Sequence, residues 1–154
     1  MLPGKEDMHM EQVSLFREYT RELECHLARL NRSDCCQCGI NESLCFLLVE
    51  IGRKPGICVR ELSEILRLDK SGVSRGVEAL VQKGYVSRVP SGEDRRSVVL
   101  SLTESGQARF DRIENDMNAK FAKVLSRIDA VRRQQVLDAL AVYNEACRKA
   151  EHDE

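Results

Sequence analysis

The sequence predicts a mostly α-helical fold with one small β-hairpin in its middle third, and three observations carry that expectation. Apolar residues recur in steps of three and four along both ends of the chain. Two short amphipathic stretches joined by a brief turn lie between those ends. One pair of β-prone runs then flanks a connection rich in Pro, Gly and Asp.

The elements follow in order. From Met10 to Leu30, the stripe positions fall at Val13, Phe16, Tyr19 or Thr20, Leu23, Leu27 and Leu30, the period of an amphipathic helix. A polar break, "NRSDCCQCG", comes next. Asn41 is an N-cap and Glu42 suits a first turn, so "LCFLLVEI" reads as a short buried helix ended by Gly52 and "KPG". "VRELSEILRL" places Val59, Leu62, Ile65 and Leu66 on one helical face. After a turn through Asp69, "KSGVSRGVEALVQKG" places Val73, Val77, Leu80 and Val81 on another, stopped by Gly84. Two short helices joined this way form a helix-turn-helix. "YVSRV" and "SVVLSL" flank "PSGEDRR", a hairpin with a basic tip. Thr103 then opens a helical region through Phe110, Ile113, Met117, Val124, Leu125 and Ile128. A last amphipathic stretch runs from about Asp129 to Ala150.

A chain of 154 residues makes one domain or two small intertwined modules, with 42% hydrophobic and 32% charged residues. Trp is absent and aromatics are 5%, so Leu, Val and Ile do most of the packing. No apolar run approaches the ~20 residues of a membrane span. "MLPGKEDMHMEQ" lacks a hydrophobic signal core, which predicts a cytoplasmic protein whose seven cysteines are kept reduced. Net charge is −1, but it is unevenly distributed. Residues 1–52 carry five basic against nine acidic side chains, residues 53–96 ten against six, and residues 97–154 nine against ten. The basic excess coincides with the helix-turn-helix and hairpin, where a nucleic-acid contact would need it, although on charge alone an unevenly charged solvated surface is the plainer reading.

Residues 59 to 106, "VRELSEILRLDKSGVSRGVEALVQKGYVSRVPSGEDRRSVVLSLTESG", resemble a MarR-family winged helix-turn-helix transcriptional regulator. The family's wing motif Asp-x-Arg falls on Asp94 and Arg96, and its Leu-Thr-x-x-Gly on Leu102, Thr103 and Gly106. These motifs cover about a third of the chain. The resemblance implies a homodimer, one winged DNA-binding lobe per subunit, and an effector site where lobe and dimerisation helices meet. The chain then divides into an N-terminal dimerisation helix with a cysteine-rich loop (1–40), a winged helix-turn-helix lobe (41–104) and C-terminal dimerisation helices (105–154). The apolar stripes of the two ends independently call for each other and for a second subunit. One departure is that Gly72 and Gly76 stand inside the recognition helix, where bulkier residues are usual. Close approach to DNA and drift on a tolerant surface are equally open readings of both.

For DNA, Lys70, Ser71, Ser74 and Arg75 lie off the Val73/Val77/Leu80 face. Arg75 suits a bidentate contact to guanine, and the serines suit phosphates or base edges. Asp94, Arg95 and Arg96 occupy the hairpin tip, where arginine suits a narrow minor groove. The partner expected is double-stranded DNA with a near-palindromic operator. No Ser-His-Asp arrangement, phosphate loop or HExxH motif occurs, and the chain is not expected to be an enzyme. Cys45 and Cys58 read as small packed residues, Cys147 has no cysteine near it in sequence, and His26 reads as a packing histidine.

Cys35, Cys36 and Cys38 differ, because they fall in a polar break within four positions of one another. No cofactor is required, but three clustered thiolates suit a soft metal or metalloid ion such as arsenic, mercury or zinc, with Cys25 or Cys45 as a further ligand. Thiol oxidation is the alternative trigger, through Cys35–Cys38 or an inter-subunit bond. Readings from other classes are a thiol–disulfide oxidoreductase on the Cys35/Cys38 pair and a zinc-stabilised interaction module. The first wants a βαβ setting and the second a further ligand pair, and the sequence shows neither.

Overall fold

A helix forms wherever the chain offers both a cap and an apolar stripe, and six do so in the order α1 (Lys5–Cys35), α2 (Glu42–Arg53), α3 (Val59–Leu66), α4 (Lys70–Gln82), α5 (Glu104–Leu125) and α6 (Ala130–His152). Strands β1 (Val86–Pro90) and β2 (Val98–Leu102) separate α4 from α5. The computed structural model describes residues 5–35, 40–90 and 98–152, with side chains at 9–30, 40–90 and 98–151.

Each lobe helix has a local start signal. Asn41 caps α2, its Oδ1 accepting from Leu44 N–H at 2.9 Å. Cys58 caps α3: its Sγ accepts from Glu61 N–H at 3.5 Å, while the Glu61 carboxylate accepts from Cys58 N–H at 2.9 Å. That is a capping box with sulfur in place of the usual hydroxyl, so Cys58 is a cap as well as a packed residue. Asp69 caps α4 through Gly72 N–H. At the far end of α4, Gly84 takes φ +75°; its N–H bonds Val81 O at 2.9 Å and Tyr85 N–H bonds Leu80 O at 3.0 Å. These two bonds make a Schellman ending, which needs the left-handed conformation glycine supplies.

The core sits where α2, α3, α4 and the hairpin meet. Leu47, Leu48 and Ile51 of α2, Leu62 of α3, and Val73, Val77 and Leu80 of α4 close over Ile57, Val86 and Leu100. β1 and β2 pair antiparallel with Val86 opposite Leu102 and Pro90 opposite Val98. The segment after α2 adds to the open side of β2: Gly56 N–H donates to Leu100 O at 3.0 Å, and Leu100 N–H to Ile57 O at 2.8 Å. Pairing on both sides fixes the hairpin to the helices it serves.

Two boundaries differ from expectation. α1 runs through Asn31–Cys35, because that segment is polar but holds no Gly or Pro to stop a helix. Gly52 lies inside α2 and does not end it. A side chain there would meet the Phe110 ring of α5, with a Cβ only 2.5 Å from Phe110 Cδ2. Close helix approach, not helix termination, accounts for that glycine.

The chain divides into two compact units, Met1–Glu114 and Asn115–Glu154. In the second, Asp129 caps α6 by accepting from Arg132 N–H at 3.0 Å. Apolar stripes on the end helices stay uncovered: Phe16 and Leu23 of α1 are 45% and 43% exposed, and Leu137 and Leu140 of α6 are 50% and 43% exposed. Among the described residues, no helix is long and apolar enough to cross a membrane.

Candidate nucleic-acid interface

α4 is divided lengthwise. Val73, Val77 and Leu80 are fully buried, while Lys70, Ser71, Ser74 and Arg75 are exposed on the other side. With 3.6 residues per turn, burying 73, 77 and 80 leaves 70, 71, 74 and 75 facing out. The helix offers its N-terminal half as a polar, net basic surface.

The first turn of that surface is organised by Asp69. Its Oδ1 accepts from Gly72 N–H at 2.7 Å and from the Ser71 hydroxyl at 2.5 Å. These bonds, the Ser71 hydroxyl first, hold the Asp69 carboxyl below its ordinary value, and the charge of Arg75 lowers it further. A Cβ on Gly72 would lie 2.6 Å from Asp69 Oδ2. Gly72 thus leaves room for the carboxylate to fold over the helix start. Gly76 answers to a different neighbour, for a Cβ there would run into the Leu47 side chain of α2. Each glycine thus has a close internal neighbour, in both cases the far end of a side chain.

The hairpin is tied to the same helix. Arg88 of β1 and Glu78 of α4 form an ion pair at 2.7 Å, a tertiary link between residues ten apart that no sequence period marks. α5 is clamped to the turn between α4 and β1. Thr103 Oγ1 donates to Gly84 O at 2.6 Å and accepts from Gly106 N–H at 3.0 Å, and Ser105 Oγ donates to Gly84 O at 2.8 Å. A side chain at Gly106 would strike the Tyr85 carbonyl oxygen. Asp94, Arg95 and Arg96, the expected tip contacts, lie outside the described residues.

The described cysteine side chains lie on different elements. Cys25 is exposed on α1, Cys45 is half-buried on α2 and Cys147 is half-buried on α6. Cys35 ends α1, with its side chain outside the described residues, as are Cys36 and Cys38 altogether. His26 is not packed inside; its ring meets Arg29 at 3.0 Å and Glu22 at 3.5 Å on the exposed side of α1. Among the described residues, no three His, Cys, Asp or Glu side chains gather as a metal site.

Comparison with known proteins agrees with this architecture. The model of the MarR family matches residues 45–97, from the first turn of α2 to the end of the connection between the strands. The HTH-type transcriptional regulator BilQ of Clostridium symbiosum (strain WAL-14163) is 30% identical over 131 residues, spanning 85% of this chain and 90% of that protein. The crystal structure of a MarR transcriptional regulator from Methanosarcina mazei Go1 superposes with a TM-score of 0.71 at 26% identity, covering 86% of this chain and 99% of that one. The fold also matches that of Streptococcus pneumoniae FabT in complex with DNA, with a TM-score of 0.70 at 21% identity over 94% of this chain and 99% of that one. A winged helix-turn-helix in the right order and a relative aligned over nearly its whole length place the chain in the MarR family of transcriptional regulators.

Proposed function

We propose that the chain is a homodimeric repressor of transcription that binds a near-palindromic operator in duplex DNA. Each α4 enters a major groove and each hairpin tip reaches an adjoining minor groove, with half-sites about one helical turn (~10 bp) apart. The observation that carries this reading is the exposed face of α4 formed by Lys70, Ser71, Ser74 and Arg75 on a helix whose other face is fully buried. Arg75 addresses a guanine, Lys70 and Ser74 hold phosphates, and Arg95 and Arg96, with Asp94 orienting Arg96, bind the narrow groove. Repression follows from occupancy, since a dimer seated on promoter DNA excludes polymerase. Arg75→Ala is expected to lower affinity for an operator selected from random duplexes and to relax preference at one position per half-site. Arg96→Ala should weaken binding evenly across sequences. Wild-type affinity in both variants would sink this division of roles.

Cys35, Cys36 and Cys38 form the sensor in this proposal, binding a soft ion such as trivalent arsenic, mercury or zinc and thereby changing DNA affinity. What supports it is their place in the sequence, from the last residue of α1 to just ahead of the winged lobe. Because α1 is continuous through Cys35, ten residues of helical rise put Cys25 about 15 Å from Cys35. A fourth thiolate therefore comes from Cys45 or from the partner subunit. Oxidation by peroxide is the second reading: the Cys35 and Cys38 thiols give up two electrons and two protons to form a disulfide, and the peroxide is reduced to water. Replacing all three cysteines with Ser and titrating the operator complex with arsenite, mercuric ion and peroxide tests both. Release of DNA by the triple variant at the parent's concentrations would remove the cluster from the mechanism.

A further inference from the structure

We infer that Ser71 reads DNA as a hydrogen-bond acceptor, selecting an exocyclic amino group, N4 of cytosine or N6 of adenine, in each half-site. The inference rests on the proposed seating of α4 in the major groove, and it concerns what Ser71 can recognise there. A serine hydroxyl ordinarily has one proton to give and two lone pairs to offer, so it serves donors and acceptors alike. Ser71 does not have that freedom. Its proton is directed at Asp69 Oδ1, which also takes the Gly72 N–H, while the residue remains exposed. A hydrogen bond to a carboxylate is among the stronger ones, and turning the proton outward would strip the carboxylate of a donor. What faces solvent is therefore the pair of oxygen lone pairs.

The arrangement is built into the backbone. Gly72 has no Cβ, and the position one would occupy lies 2.6 Å from Asp69 Oδ2, so the carboxylate can lie over the first turn and meet Ser71. The same two contacts, the Ser71 hydroxyl and the Gly72 N–H, hold the Asp69 carboxyl below its ordinary value and so favour its charged form.

The consequences for DNA are chemical. Phosphate oxygens are acceptors, so an outward lone pair finds no partner there, and the Asp69 charge repels them. In the major groove, guanine offers O6 and N7 and thymine offers O4, all acceptors, whereas cytosine N4 and adenine N6 are donors. Ser71 thus favours cytosine or adenine and disfavours guanine and thymine by lone-pair repulsion. Arg75, one turn further on the same face, presents only donors. The two residues impose opposite polarities on neighbouring base pairs.

The test starts from duplexes selected by the full-length protein out of a random library. At each cytosine or adenine of the half-site, 2-pyrimidinone or unsubstituted purine replaces the base, deleting only the amino group. One position is expected at which deletion weakens the parent roughly 10-fold, the analogue that acts there telling cytosine from adenine. Ser71→Ala should bind with no dependence on that amino group, and Ser71→Thr should keep it. Dependence retained by Ser71→Ala, or no amino-sensitive position at all, overturns the inference. Failure of the parent to enrich any sequence overturns the DNA-binding reading and this inference with it.

Discussion

An added methyl group at Gly106 would meet the Tyr85 carbonyl oxygen, an atom already held by Thr103 N–H at 3.0 Å. Backbone cannot rotate away as a side chain can, so α5 would have to lift from the turn between α4 and β1. Overpacking of this kind costs about 1–3 kcal/mol, and Gly106→Ala is expected at the upper end, read as a lowered denaturant midpoint. Gly76→Ala makes the informative contrast. There the obstacle is the flexible end of Leu47, and alanine recovers up to ~1 kcal/mol of helix propensity. Its stability should stay within about 1 kcal/mol of the parent. A Gly106→Ala protein as stable as Gly76→Ala would show that the turn yields more readily than its bonds imply.

Among the elements, α3 shows how a short helix is held at its start. Glu61 accepts from Cys58 N–H at 2.9 Å and from Lys54 Nζ at 2.9 Å. Chiefly through the backbone bond, its carboxyl falls from an ordinary value of 4.5 to about 2. A carboxyl depressed by folding stabilises the native state above its unfolded pKa, and that contribution is lost as pH falls toward the folded value. The stability gap between parent and Glu61→Ala should therefore be full near neutral pH, shrink below about pH 4.5 and reach its minimum near pH 2. Denaturant titrations at fixed salt would show it, and a gap independent of pH would mean the ionised cap contributes nothing. Local signals of this sort are the ones a sequence displays. Asn41, Gly84 and Thr103 announce their helix ends, and Asp69 its turn, because such chemistry depends on near neighbours. The Cys58-x-x-Glu61 spacing was also visible, but a thiol in the capping position disguised it as a packing residue. Gly52, Gly72 and Gly76 were not legible in the same way. The neighbours an added side chain would meet there are Phe110, Asp69 and Leu47, and for two of the three that neighbour belongs to another helix. The Arg88–Glu78 pair is tertiary for the same reason. The exposed residues of α4 followed from its buried period, whereas the Ser71–Asp69 hydrogen bond depends on how the first turn folds.

For the whole molecule the governing fact is what a single chain leaves uncovered. Val13, Phe16 and Leu23 of α1 and Val136, Leu137, Leu140 and Tyr143 of α6 are all more than a third exposed. These residues recur at helical spacing and form stripes rather than isolated surface residues, and contiguous apolar surface of that kind marks an interface. The lobe, by contrast, closes its own core around Leu48, Ile51, Leu62 and Leu80. Dimerisation should therefore be separable from folding of the lobe. Obligate interfaces commonly bury more than ~2,000 Å², and sedimentation at micromolar concentration is expected to show a dimer with slow subunit exchange. Phe16→Glu combined with Leu137→Glu places charges in both stripes and should yield monomers that keep their helical circular dichroism. Because a monomer engages one half-site, its affinity for the full operator should fall by about 10²-fold or more, the avidity that linkage of two binding modules supplies. Affinity for an isolated half-site should change little. A parent protein that sediments only as monomer, or a charged variant that still sediments as dimer, would show that these stripes do not hold the subunits together.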